Sequence, residues 1–347
     1  MSNRAIQVGS FVLRKILTAV VTIFFLATIV FFLTKLTPGD EARAAAGADA
    51  TPEQVEEVRR QLGLSGPLSS QYVHYLAGLL HGDLGTSSAS QGSVSDAIIQ
   101  VLPGTTQLVV LALIITVTVA IPLAAWSAVR STGAADGLRR VLVIVAAGMP
   151  TFWLAIMLQN LIASQWHLLP ISGDVSVGIK INDVTGFQLV DALLSGSPIA
   201  FRDVLAHLVL PAAVLSIPFI GQLFRIVRAE LLRVLGREHI TVARSTGISS
   251  SRLFWRHGLP QVVSPALLVI GAEFGGMFAG AILVESVFGR NGLGSFMTNA
   301  LSQKDTAAVL GGVLTVGVIV VITSLVVDVV QVVRDPRVRA KQLGATS

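Results

Sequence analysis

Ile16 to Thr34 reads ILTAVVTIFFLATIVFFLT, an unbroken apolar run with Lys15 on one side and Lys35 on the other. At about 1.5 Å per helical residue it crosses the roughly 30 Å of hydrocarbon in a bilayer, and it is too long for the core of a cleaved leader. Five more such runs follow at about Thr105 to Val129, Val141 to Ile162, Leu205 to Phe224, Val262 to Val284 and Val309 to Val327, six in all. Hydrocarbon offers no water to open backbone groups, so each run is expected to be helical, and the alternating strands of a membrane barrel are missing from the sequence. The expected fold class is all-α: a polytopic membrane protein with six transmembrane helices.

The composition agrees. Of the 347 residues, 52% are apolar and 13% charged, against about 25% charged in soluble domains, which excludes a disordered or ordinary cytosolic chain. The absence of cysteine excludes disulfides, thiol nucleophiles and thiolate metal sites, and the six histidines include no H-x-x-x-H pair, so no metal site is expected. The net charge of +5 sits beside apolar spans, where it sets orientation; it does not point to nucleic acid.

Lys and Arg cluster at the N-terminus (Arg4, Arg14, Lys15), after the second span (Arg130, Arg139, Arg140), after the fourth (Arg225 to Arg256) and at the C-terminus (Arg334 to Lys341). By the positive-inside rule these regions are cytoplasmic and both termini lie inside. Acids such as Asp40, Glu53, Glu56, Glu57, Asp174, Asp183 and Asp203 fall on the other side. There, Thr51, Pro52 and Gln54 form a helix start, the helix runs to about Leu62, and Gly63 stops it in a left-handed conformation. A second amphipathic stretch carries Tyr72, Leu76, Leu79 and Leu80, and together the two form an external cap. The segment 163–203, rich in Gly, Ser and Asp, reads as irregular structure around a short helix. The organisation expected is a first span with its cap over 1–100, a five-helix core over 101–333 with an inner loop at about 228–260, and a cytoplasmic tail over 334–347.

Signals of catalysis are weak. No Lys is followed by Ser or Thr, so there is no Walker A loop, and the G-x-S-G match at Gly63 to Gly66 falls in an aqueous turn without a facing histidine. An intramembrane hydrolase built on Ser65 is the remote reading, and no catalytic residue is assigned. The informative region is Arg225 to Pro260. A patterned helix breaks at Gly247, Ser249 to Ser251 can cap a short helix from Arg252 to His257, and Pro260 opens the next span. Ala243 and Gly247, four residues apart, share a helical face where another protein can approach the backbone. A solvated basic loop against anionic headgroups would explain the arginines but not this punctuation.

Thr241-Val242-Ala243, then Gly247, then Leu259-Pro260 resembles the cytoplasmic loop motif of ABC importer permeases: E-A-A, three residues, Gly, nine residues, Ile, one residue, Leu-Pro. Thr241, Val242 and His257 depart from it. Leu36 to Asp40, Gly82-Asp83-Leu84-Gly85, Glu285 to Phe288 with Gly292-Leu293-Gly294, and Asp335-Pro336-Arg337 are similar to the dipeptide and oligopeptide permeases of the B type, so the resemblance runs over nearly the whole chain. It implies a type I importer fold in a bacterial inner membrane, paired with a homologous permease and fed with peptide by an external binding protein. It implies two cytoplasmic ATPases that use ATP and magnesium, with no cofactor on this chain. It also implies that Arg237, Glu238, His239, Ala243, Arg244 and Gly247 contact an ATPase. Members of this branch also carry glutathione or nickel chelates, and nothing in the sequence selects among these cargoes.

Gly271 with Gly275 and Gly276 with Gly280 give the fifth span two faces open to close packing, either within the bundle or against a second permease. Glu273 lies in that span, where an unpaired carboxylate costs at least about 2.5–3.5 kcal/mol, so it should face protein or a water-filled path. It reads as a pathway group or as a structural carboxylate. Glu285, nearer the outer boundary, is a second pathway candidate or a mark of the span's end. Asp328 is expected to be a boundary residue paired with Arg334, and Pro122, Pro150, Pro211 and Pro218 to kink or end helices. The rival function is an ion-coupled secondary transporter relaying ions through Glu273, although such carriers use several intramembrane ionisable groups.

Overall fold

The computed structural model describes residues 2–36, 41–47, 50–61, 63–87, 89, 92–129, 134–237, 240, 246–249, 252 and 254–334. Helix α1, Ser2–Leu36, is followed by the short α2 Glu41–Ala46, α3 Pro52–Gln61 and α4 Leu68–Leu80. Next come α5 Val94–Val129, α6 Ala134–Gly148 and α7 Thr151–Leu158, which runs on as a wider π-helical stretch, Gln159–Gln165. The short α8 Gln188–Leu194 precedes the long α9 Pro198–Leu235. A π-helical turn, Phe254–Gly258, leads into α10 Leu259–Phe288, and α11 Leu293–Ser302 and α12 Thr306–Arg334 close the series. Helices α1, α5, α9, α10 and α12 are each long and apolar enough to cross a membrane, and α6 with α7 makes a sixth span if the bent pair counts as one.

Local signals account for several helix ends. Thr51 and Gln54 exchange bonds as a capping box, the Gln54 amide donating to Thr51 Oγ1 at 3.3 Å and the Thr51 amide to Gln54 Oε1 at 2.8 Å. Gly63 turns the chain at φ +68°. Ser197 caps α9 by accepting from the Ala200 amide at 3.2 Å, with Pro198 in the first turn.

The third span departs from expectation: Val141 to Ile162 is not one helix. α6 stops at Gly148, and the chain leaves along α7 at 101° after Met149 and Pro150. Pro150 has no amide hydrogen and its ring disfavours a helical residue before it, while Gly148 is a weak helix former, so the ladder breaks over three successive residues. Pro122, Pro211 and Pro218, by contrast, lie inside α5 and α9, which continue through them.

Helix α9 is the centre of the bundle. Of its most apolar stretch 56% is buried, against 6% for α12, which leaves α12 at the edge of the bundle. One apolar cluster holds Leu108, Ala112, Leu208, Leu215, Met277, Phe278 and Phe288; another holds Ala120, Ala124, Leu223, Phe224, Leu231, Phe254 and Val262, so α5, α9 and α10 share a core in two halves. Both glycine faces of α10 pack within this chain. A methyl on Gly271 would strike Val327 and one on Gly275 would come 2.8 Å from Val320, both on α12. On the other face, a methyl on Gly280 would lie 2.9 Å from Leu215 and one on Gly276 3.4 Å from the Phe219 ring, both on α9. Asp328 pairs with Lys15 of α1 at 2.8 Å, while the side chain of Arg334, the partner expected for it, lies outside what the structure describes; the first and last spans lie side by side, a neighbourhood that sequence distance hides.

Candidate functional site

The C-terminal end of α9 opens into the segment that carries the loop motif. Gly236 closes the helix with its amide on the Leu232 carbonyl at 3.0 Å. Arg237 then reaches the first turn of α10, its Nη1 donating to Gln261 Oε1 at 2.9 Å, and Ile240 is fully buried. On the return side Phe254 is buried beside Leu231, Val262 and Ala266, and Pro260 sits in the first turn of α10. The segment is therefore fastened at both ends, to α9 and to α10. Glu238, His239, Thr241, Val242, Ala243 and Arg244 lie outside the described residues, as do the motif stretches Thr37 to Asp40 and Asp335 to Arg337.

Gly247 is exposed and adopts φ +85°, a conformation that costs other L-residues roughly 1–2 kcal/mol. No described residue lies within 4 Å of where its Cβ would be. Among the described residues the glycine thus serves the backbone turn and not side-chain packing. Trp255 is 64% exposed, and Arg252 and Arg256 are exposed around it. Trp255 belongs to no motif position; the available signal is a large aromatic between arginines, the residue types that anchor protein interfaces.

At the other end of α10 the Glu285, Gly292, Leu293, Gly294 motif builds a fixed turn. Glu285 is 1% exposed; its Oε1 accepts from Thr105 Oγ1 at 2.6 Å and its Oε2 from the Gly294 amide at 2.8 Å and the Ser295 amide at 3.2 Å. The carboxylate so caps α11 and ties it to α5 and α10. A Cβ on Gly292 would strike that carboxylate, and one on Gly294 would strike the Ile282 backbone, so the motif glycines are required by space. Arg290, also buried, pairs with Asp174 at 2.9 Å and directs Nη1 to the His207 carbonyl at 3.4 Å. That carbonyl is the one whose helical donor Pro211 removes, so the guanidinium fills a gap the proline opens. Burial pulls the Arg290 guanidinium below its usual range, against the opposite pull of Asp174 and Glu285.

Asp174 also accepts from the Asn291 amide at 2.9 Å, and Ser176 donates to Asp203 at 2.6 Å, so the segment 163–203 is tied down by specific bonds. Before α5, Asp83 Oδ1 accepts from the Gly85 amide at 2.8 Å, and Ser87 Oγ donates to buried Asp305 at 2.5 Å, joining the Gly82 to Gly85 turn to the start of α12.

Glu273 is 2% exposed, and neither carboxylate oxygen has a hydrogen-bond partner among the described residues. One helical turn to one side, Val269 and Ile270 pack against the cluster of Leu223 and Phe224; one turn to the other, Met277 belongs to the cluster of Leu208 and Leu215. Glu273 and Glu285 are both enclosed in the bundle, the first unpartnered and the second fully engaged.

Residues 120–340 match the binding-protein-dependent transport system inner membrane component family, and residues 8–112 match the N-terminal region of such membrane components. Over 96% of its length the chain is 34% identical to the dipeptide transport system permease protein of Escherichia coli K12, 99% of which is covered. The chain belongs to this family of transport permeases. It is 35% identical to the probable D,D-dipeptide transport system permease protein of the same strain, over 89% of this chain and 92% of that one. It is 31% identical to the di/tripeptide transport system permease protein of Pseudomonas aeruginosa, over 95% of this chain and 98% of that one. The permease has the all-α architecture of a type I importer subunit, is a multi-pass membrane protein and works in a transport complex with other ABC components. Membership weighs against an ion-coupled secondary carrier.

Proposed function

We propose that this permease forms, with a second homologous permease, the path by which di- and oligopeptides enter a bacterial cell, and that two cytoplasmic ATPases drive it through the segment around Gly247. An external binding protein delivers the peptide. ATP and magnesium are used on the partner chains, and this chain has no catalytic residue of its own. Both of its termini lie in the cytoplasm, which puts Gly247 on the same side as the ATPases. The relatives named above are dipeptide and di/tripeptide permeases, which favours peptide over the other cargoes of the branch.

The observation that carries the reading is the exposed left-handed turn at Gly247 between two anchored arms, Arg237 with Gln261 on one side and Phe254 in the inner core on the other. A segment fastened at one end to α9 and at the other to α10 passes displacement to both helices, which a loose basic loop does not. Arg237, Glu238, His239, Ala243 and Arg244 complete the contact with the ATPase. The test is Gly247→Glu in the reconstituted complex. ATPase docking and peptide-stimulated hydrolysis are expected to fall about tenfold or more, in the range of energies that couple linked sites. Retained docking with retained import would end the proposal.

A further inference from the structure

Arg228 lies on α9 about two turns before the helix ends at Leu235. Its Nη2 donates to Asp136 Oδ2 at 2.9 Å and its Nε to Ser127 Oγ at 2.8 Å, while the Ser127 hydroxyl donates to Asp136 Oδ1. One side chain from each of α5, α6 and α9 thereby closes a ring. Asp136 is 1% exposed and the Arg228 side chain 15%. Arg139 and Arg140 approach the same carboxylate at 3.5 and 3.4 Å, and Arg139 lies 4.1 Å over the Trp126 ring.

Two turns deeper the same two helices meet without polar groups. Gly221 of α9 lies so close to α6 that an added Cβ would strike Ala147 and sit 3.3 Å from the Val143 carbonyl. Two contacts, Arg228 with Asp136 and Gly221 with Val143 and Ala147, hold α6 to α9 along its length. At Gly148 the helical ladder ends, and α7 departs at 101° to pack against α9 and α10. The inner end of α6 is therefore bound to the helix that carries the Gly247 segment, and its outer end sits on a joint.

We propose that Asp136 and Arg228 are positioning residues of transport: they pass a displacement of the Gly247 segment from α9 to α6, and breaking the pair separates ATP turnover from cargo movement. This rests on the coupling role assigned to that segment above. A purely structural pair would lower assembly, hydrolysis and import together; a transmitting pair lowers import per ATP.

The test uses the complete complex in proteoliposomes. Asp136→Asn combined with Arg228→Gln removes both charges of the pair, while Arg139 keeps its place over the Trp126 ring and Arg140 its half-exposed position. Hydrolysis is expected to stay within about twofold of the parent while peptide imported per ATP falls about tenfold. Because the chain has no cysteine, Asp136→Cys with Arg228→Cys can be joined specifically by a short reducible bis-thiosulfonate linker once the partner chains have also been made free of cysteine. Linking is expected to restore import per ATP and reduction to abolish it again, and this comparison within one sample decides the matter if the charge-free variant does not assemble. An unchanged ratio in the charge-free variant, a parallel loss of hydrolysis and import, or a low ratio after linking overturns the proposal. Failure of the coupling reading itself shows separately, as Gly247→Glu keeping both hydrolysis and import.

Discussion

Thr105 and Glu285 lie 180 positions apart in the chain and share a 2.6 Å hydrogen bond, the hydroxyl donating and the carboxylate accepting. The same hydroxyl accepts from the Leu293 amide at 2.7 Å, so one threonine serves α5, α10 and α11 at once. Thr105→Val keeps the shape and strands a buried amide, which costs about 1–3 kcal/mol. Thermal unfolding in detergent is expected to register that loss, and Thr105→Ser, which retains the hydroxyl, to recover most of it.

The glycines of α10 should not respond alike to alanine. Gly275→Ala pushes a methyl against Val320 and Gly280→Ala against Leu215, where overpacking costs typically about 1–3 kcal/mol. At Gly276 the nearest atom of the Phe219 ring is 3.4 Å away, an ordinary contact, and replacing glycine in a helix interior gains about 1 kcal/mol. Melting of the three purified variants is expected to rank Gly276→Ala at or above the parent and the other two below it. A uniform drop would disprove the packing described for these faces.

Asp191 makes the segment between α7 and α9 sensitive to acid. Burial alone would raise its carboxyl, but bonds from the Thr185 hydroxyl at 2.7 Å and amide at 2.9 Å outweigh burial and hold it below the ordinary range. A depressed folded value means the stabilisation is complete above the unfolded Asp value of about 3.9 and is lost as pH falls through the folded one. Limited proteolysis between Trp166 and Ser197 is expected to be slow and flat near neutrality and to quicken below about pH 4. With Asp191→Asn the cleavage should be fast at every pH.

Glu273 is retained at a cost in stability. An unpartnered carboxylate in a span is unfavourable by about 2.5–3.5 kcal/mol on insertion scales, so Glu273→Leu is expected to raise the melting temperature. If the group serves the transport cycle, peptide uptake by the same variant falls. A variant both more stable and fully active would assign Glu273 no part in transport.

Much of this architecture is local and therefore legible in the residues. Long apolar runs fix the spans, the Thr51 to Gln54 box fixes a helix start, and the glycine at 63 does turn the chain left-handed, whereas the left-handed φ at Gly247 takes that residue off the helical face expected for it. What the sequence hides is contact between distant segments. Lys15 meets Asp328 and Thr105 meets Glu285, and no periodicity within one helix signals either pair. The same limit left both glycine faces of α10 open between an intramolecular and an intermolecular reading until Val320, Val327, Leu215 and Phe219 were seen against them. The corner at Met149 is a different case: Pro150 was in plain view, yet Pro122, Pro211 and Pro218 stand in unbroken helices. A proline alone does not settle whether a helix ends; here the flanking Gly148 adds to it.

The bend at residue 247 lies in a backbone conformation that glycine enters freely and that costs another L-residue about 1–2 kcal/mol. A glycine there gives the chain that shape without strain. A preorganised turn of this kind allows tight yet reversible seating, so that the motor can pull on it and push it back through many rounds without rebuilding the joint each time.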